Sequence, residues 1–256
     1  MLQSSRTANL TLRNFLFPLL KLRDVTVCAL LTFSLAAALG GCGAMGPKGA
    51  SAQIGVVSQD AHSWSILYSE GTPAHPAAPP ASWAVSLPSA GGHLNYVQVP
   101  YRAAARPQQI VLTFQVLESS DAIPVSYDAK GSPCRDHDPC TPVAEFHVFF
   151  EQQGDDLTSE CGRWWYKPGF RLTDARDDSY DVQPFVGDGQ PHTITIPLTA
   201  EMWTSVNGLG TAAGFEAALM NVGYVGITFG GSDYFGHGVD VEEGTVQFQM
   251  IDFQVE

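Results

Sequence analysis

The chain predicts an all-β fold, an antiparallel β-sandwich, on three observations. Short runs rich in Val, Ile, Tyr, Phe and Thr, bounded by Gly or Pro, recur from Trp83 to the C-terminus. About ten such runs follow at short spacing, and two packed sheets bury one face of each. Helix is nearly absent: only Phe215–Met220, Ala-rich after Gly214, reads as a short helical turn near 215–220.

Residues 1–41 precede the body. Arg6, Arg13, Lys21 and Arg23 come before Val25–Leu39, a 15-residue run without charge. That run is short for a membrane span and has the layout of a secretory signal. Leu39-Gly40-Gly41-Cys42 resembles a bacterial lipobox, an aliphatic residue and two small ones before the cysteine. In that family a diacylglycerol is attached to the thiol, the signal is removed and the cysteine becomes the first residue. The resemblance implies lipidation of Cys42 and a protein anchored in the cell envelope by its acyl chains. Gly43 is not the aspartate that retains such proteins at the inner membrane, which implies the outer membrane. An ordinary signal peptide cut near Ala38 is the alternative.

Residues 42–60 begin Gly-, Ala- and Ser-rich and read as a flexible tether. The β-sandwich domain occupies 61–256. His62–Tyr68 opens it with a short alternating strand, and Gly71–Pro80, with four prolines in ten residues, is loop. Strands follow at Trp83–Leu87, Leu94–Val99 and Ile110–Val116. Ser119–Pro142 is a long loop. Phe146–Phe150 is a strand, Gly162–Leu172 holds one or two more, and Asp174–Asp188 is acidic and turn-rich. Thr193–Ile196, Val222–Phe229 and Thr245–Val255 complete the set.

From Cys42 onward the chain has 215 residues, with nine Lys and Arg against 25 Asp and Glu, a net charge of −16. Nucleic acid is excluded as a partner, because phosphate contacts need a basic patch. Membrane attachment would then rest on the lipid. Cys134, Cys140 and Cys161 remain for the body. Cys134 and Cys140 flank Arg135–Pro139 and are the expected disulfide, with Cys140–Cys161 the competing pairing. A zinc site from Cys134, His137 and Cys140 matches no common ligand spacing.

Alternate residues of a strand share a face. Phe146, Val148 and Phe150 therefore form core, while Glu145, His147, Phe149 and Glu151 line the other face. In Arg163-Trp164-Trp165-Tyr166, Trp164 and Tyr166 share one face and Arg163 and Trp165 the other. Arg163 is least suited to a core, so Trp164 is expected inside and Trp165 as an exposed ring. Trp83 and Trp203 are expected in the core. An exposed tryptophan beside Arg163, Glu145, His147 and Glu151 suits a sugar, whose C–H face stacks on the ring while polar groups bind its hydroxyls. Gly230–Gly238 frames Asp233, Tyr234 and His237 on a loop that either lines a ligand cleft or is an Ω-loop without a ligand.

The stretches HTITIPLTAEMWTSV, FEAALMNVGYVGITFGG and TVQFQMIDFQV resemble the end of the galactose-binding-like jelly roll of many bacterial carbohydrate-binding modules. The resemblance implies a jelly-roll sandwich and a glycan ligand. Many such domains hold a structural calcium through an aspartate of the last strand. Asp252 matches that place; alternation puts it on the face of Met250 and Gln254, and Glu70 would help complete the ion. No other cofactor is expected.

Enzyme motifs are missing: no Gly-x-Ser-x-Gly, no His-Glu-x-x-His, no phosphate-cradling Gly-x-x-x-x-Gly-Lys. Glycosidase carboxylates sit about 5–9.5 Å apart, and Glu145 and Glu151 on one strand lie about 20 Å apart. The sequence thus points to a lipid-anchored, non-catalytic carbohydrate-binding module. A glycan-cleaving enzyme and a structural envelope lipoprotein that binds another protein are the alternatives.

Overall fold

The computed structural model describes residues 54–78, 83–89, 92–126, 144–155, 162–172, 186–205, 208, 210–231 and 236–256. All lie in the compact unit Cys42–Glu256. The strands are β1 (Ser65–Leu67), β2 (Trp83–Ser86), β3 (Tyr96–Pro100), β4 (Gln109–Glu118), β5 (Pro124–Ser126), β6 (Glu145–Gln152) and β7 (Arg163–Tyr166). They continue as β8 (Phe170–Arg171), β9 (Pro191–Pro197), β10 (Trp203–Ser205), β11 (Val222–Gly230), β12 (Val239–Val241) and β13 (Val246–Val255). One helix, α1 (Ala212–Leu219), precedes β11.

Two antiparallel sheets make the sandwich. One runs β1-β3-β11-β6-β7-β10 with β8 also on β6; the other runs β2-β13-β4-β9. Successive long strands therefore cross between the sheets, β2 and β4 in one, β3 and β6 in the other, and β13 returns to lie beside β2. Taken as β2-β13-β4-β9 facing β3-β11-β6-β7, this is the eight-strand jelly-roll order. The small pair β5–β12 stands apart.

Alternation explains the core. In β4 the inward Ile110, Leu112, Phe114 and Val116 are buried, whereas Val111, Thr113 and Gln115 between them are half-exposed. Phe114 stacks on Phe248 at 5.5 Å, and Phe146 meets both edge-on at 4.9 and 5.2 Å. Trp64 and Trp83 close one region at 4.9 Å; Phe150, Trp164, Trp203 and Phe215 form another. Trp83, Trp164 and Trp203 are core residues, as their patterns predict. Thr211 caps α1, its hydroxyl accepting from Gly214 N at 3.1 Å, and the helix turns Phe215, Ala218 and Leu219 inward.

Several boundaries differ from the sequence reading. Ala61–Ser63 is a 3-10 turn, so the first strand is shorter than His62–Tyr68. The helix starts three residues before Phe215, at the Thr211 cap. Pro124–Ser126 interrupts the long loop with a strand, because it finds distant Val239–Val241 as a partner in register Val125↔Asp240. Asp252 is corrected too. A β-bulge between Met250 and Asp252 sets two residues of β13 against one of β4. Met250 and Phe253 both point inward, so Asp252 lies on the outer face opposite Thr113, not with Met250. Cys42, Cys134, Cys140, Asp233 and Tyr234 lie outside the described residues, as does Cys161.

Candidate functional site

The outer face of the larger sheet gathers the polar residues that sequence alternation turned away from the core. Cross-strand register aligns them in rows. Gln98, Gly226, Phe149 and Trp165 form one; Leu67, Tyr96, Thr228 and His147 the next. Glu151 stands opposite Arg163, and Glu145 opposite Arg171. Gly226 is required where it sits, since a Cβ there would run into the carbonyl oxygen of Val97. Six of the predicted residues thus share this face: Glu145, His147, Glu151, Arg163 and Trp165, with Phe149 between them.

The face is not open, which corrects the expectation for Trp165. Trp165 is 5 % exposed and packs with Tyr96 and Phe149 in a second apolar cluster, separate from the core between the sheets. Glu145, His147, Glu151 and Arg163 are equally buried. Parity placed Trp165 correctly on the face of Arg163; taking that face for solvent was the error. Arg163 tolerates burial because it is surrounded by partners. Its Nη1 donates to Tyr96 Oη at 3.3 Å, and its Nη2 lies 3.7 Å from Asp155 Oδ2. The guanidinium also sits 5.4 Å from the Tyr96 ring centre and 5.9 Å from that of Trp165. Tyr96 meets Phe149 edge-on at 5.2 Å.

Glu151 is the group most altered by this setting. Burial raises its pKa to about 7, Arg163 opposes the rise, and Asp155 adds to it. Burial likewise pushes the Tyr96 phenol up, against the pull of Arg163. Among the described residues, Gln98 Oε1, Glu151 Oε2 and both Nε and Nη2 of Arg163 are fully buried here with no hydrogen-bond partner. Arg163 contributes two donors and Gln98 an acceptor, and Glu151 Oε2 accepts when the carboxyl is ionised.

Farther along β6, His147 Nδ1 lies 3.1 Å from the carbonyl oxygen of Tyr166, so Nδ1 carries a proton. Its Nε2 is 3.3 Å from Glu145 Oε2. The turn between β7 and β8 closes over the pair at Gly169.

The remaining predicted residues are dispersed. His237 is exposed. Its neighbour Gly236 sits against the Tyr96 hydroxyl with φ 77°, where any side chain would collide with the ring, and its carbonyl accepts from Asn95 Nδ2 at 2.8 Å. Asp252 is half-exposed and accepts from Gln254 Nε2 at 2.6 Å. Glu70 is exposed and bridges His93 just beyond the paired ends of β1 and β3, at the edge of the larger sheet. Among the described residues, no group of three or more His, Cys, Asp or Glu is placed to hold a metal ion.

Sequence reading missed Tyr96, Gln98, Thr228 and Asp155. Tyr96 and Gln98 had a signal: in Leu94–Val99 they alternate with Val97 and Val99, which are core. Nothing local shows that β11 carries this strand to β6.

No protein-family model and no curated protein matches the sequence. Among solved structures, the solution structure of CtCBM11, a carbohydrate-binding module, is similar over 75 % of this chain and 87 % of that one. Identity is 11 % and the TM-score 0.35, an overlap too slight to bear on fold or function.

Proposed function

We propose that the protein is a non-catalytic binding module held in the cell envelope by lipid at Cys42, and that the outer face of the larger sheet binds a neutral carbohydrate. The observation that carries the reading is the chemistry of the unmatched atoms. Arg163 Nε and Nη2 offer hydrogens; Gln98 Oε1, and Glu151 Oε2 when ionised, accept them. Buried polar atoms are nearly always satisfied, so such a set marks a place where a partner belongs. Hydroxyl groups both donate and accept and would satisfy all four. The rings of Tyr96, Phe149 and Trp165 supply the apolar wall that a pyranose C–H face requires. Asp155 and Glu151 beside Arg163 disfavour a carboxylate or phosphate ligand.

Binding of the purified protein to an array of neutral and acidic glycans tests the reading, with reducing-sugar release measured in parallel. Retention of neutral glycans without cleavage supports it. Cleavage would make the protein an enzyme, and indifference to every glycan would remove the carbohydrate ligand.

A further inference from the structure

We infer that Tyr68 is the ring on which the sugar stacks as it meets this face, an inference that rests on the carbohydrate reading above. Tyr68 follows β1 directly and has φ 53°, the left-handed conformation. Every other positive-φ residue among those described is glycine. A bulky side chain is costly in that conformation and glycine is not, so a tyrosine there points to a use for the side chain. The backbone on both sides is fixed. Leu67 pairs with Tyr96 in the sheet, Ser69 Oγ accepts from Asn95 N at 3.0 Å, and Glu70 and His93 exchange backbone hydrogen bonds of 3.0 and 2.9 Å. The chain therefore bends at Tyr68.

That bend lays the Tyr68 ring edge-on against Tyr96 at 6.3 Å, and Tyr96 in turn meets Phe149 and Arg163. Tyr68 is 59 % exposed, whereas Tyr96 and Trp165 are 6 % and 5 % exposed. It is thus the solvent-facing end of the ring cluster. A ligand approaching from the β1 edge reaches Tyr68 before the buried Gln98, Glu151 and Arg163. The accessible platform that the sequence assigned to Trp165 is supplied from another strand end.

The test titrates the β-1,4-linked tetrasaccharides of glucose, mannose and xylose into wild-type protein, Tyr68→Phe, Tyr68→Ala, Tyr68→Gly and Glu151→Gln. Tyr68→Phe keeps a stacking ring and should stay within about twofold of wild type. Tyr68→Ala and Tyr68→Gly should each lose about tenfold in affinity, equivalent to about 1.4 kcal/mol. In thermal unfolding Tyr68→Gly should exceed Tyr68→Ala, because only glycine takes the left-handed conformation without strain. Full binding by Tyr68→Ala while Glu151→Gln has lost it would overturn the inference and leave the face reading standing. A melting temperature for Tyr68→Gly below that of Tyr68→Ala would also overturn it, by removing the strain argument. If wild-type protein binds none of the three sugars and no glycan of the array, the carbohydrate reading falls and this inference with it.

Discussion

Replacing Glu151 by glutamine should stabilise the protein above neutral pH and change little in acid. Glu151 is 3 % exposed, and burial lifts its pKa from 4.5 to about 7. Between those values the folded protein holds a proton that the unfolded chain has released, so stability falls as pH rises, by about 1.4 kcal/mol per pH unit. Across the window the loss is about 3 kcal/mol, complete once the folded group has ionised. Glutamine resembles the protonated acid at all pH values and escapes that loss. The variant's advantage over wild type should therefore grow through the window and level off at about 3 kcal/mol. Urea denaturation of both proteins from pH 4.5 to 8.5 measures it. Glu118, half-buried and also raised to about 7 by burial, bends both curves alike and cancels in the difference. A difference that is flat with pH would refute the reasoning. So would one that falls with pH, since it would mean that Arg163 outweighs burial and holds Glu151 as a paired carboxylate.

Two other outcomes are expected. Trp164→Ala and Trp165→Ala should each cost about 3–5 kcal/mol in chemical denaturation, because one ring fills the core beside Phe215 and the other fills the cluster with Tyr96 and Phe149; a mild Trp165→Ala would show its ring accessible after all. Cys42→Ser should abolish incorporation of labelled fatty acid and move the protein to the soluble fraction, and label retained by that variant would end the lipid-anchor proposal.

Much of the sandwich was legible because a strand with one buried face writes a period of two into its sequence. Phe146, Val148 and Phe150 announced core, and Glu145, His147 and Glu151 announced the opposite face. The same period ranked Trp164 inside and Trp165 outside, and both lie on the faces so assigned. What alternation does not encode is whether an outward face meets water. Charged residues normally imply solvent, but here Glu151, Asp155 and Arg163 accompany one another into burial. Strand order was equally hidden. Tyr96 and Gln98 join His147 and Trp165 only because β11 lies between β3 and β6, a long-range pairing with no local mark. Asp252 shows a third limit. One extra residue at Ile251 reverses parity, and nothing in Met250–Phe253 signals a bulge. The backbone of Tyr68 was likewise unreadable, since the left-handed conformation is ordinarily betrayed by glycine or asparagine.

The central claim is that ligand binds the outer face of the larger sheet. Titrating the tetrasaccharides into isotope-labelled protein and following its NMR spectrum tests this most directly, because the indole N–H of Trp165 reports from inside the cluster. The account predicts that Trp165 Nε1–H and the backbone amides of Tyr68, Gln98, Glu151 and Arg163 shift together along one binding curve. Shifts confined to the opposite sheet, at Thr113, Thr193 and Gln249, with Trp165 unmoved, would contradict it.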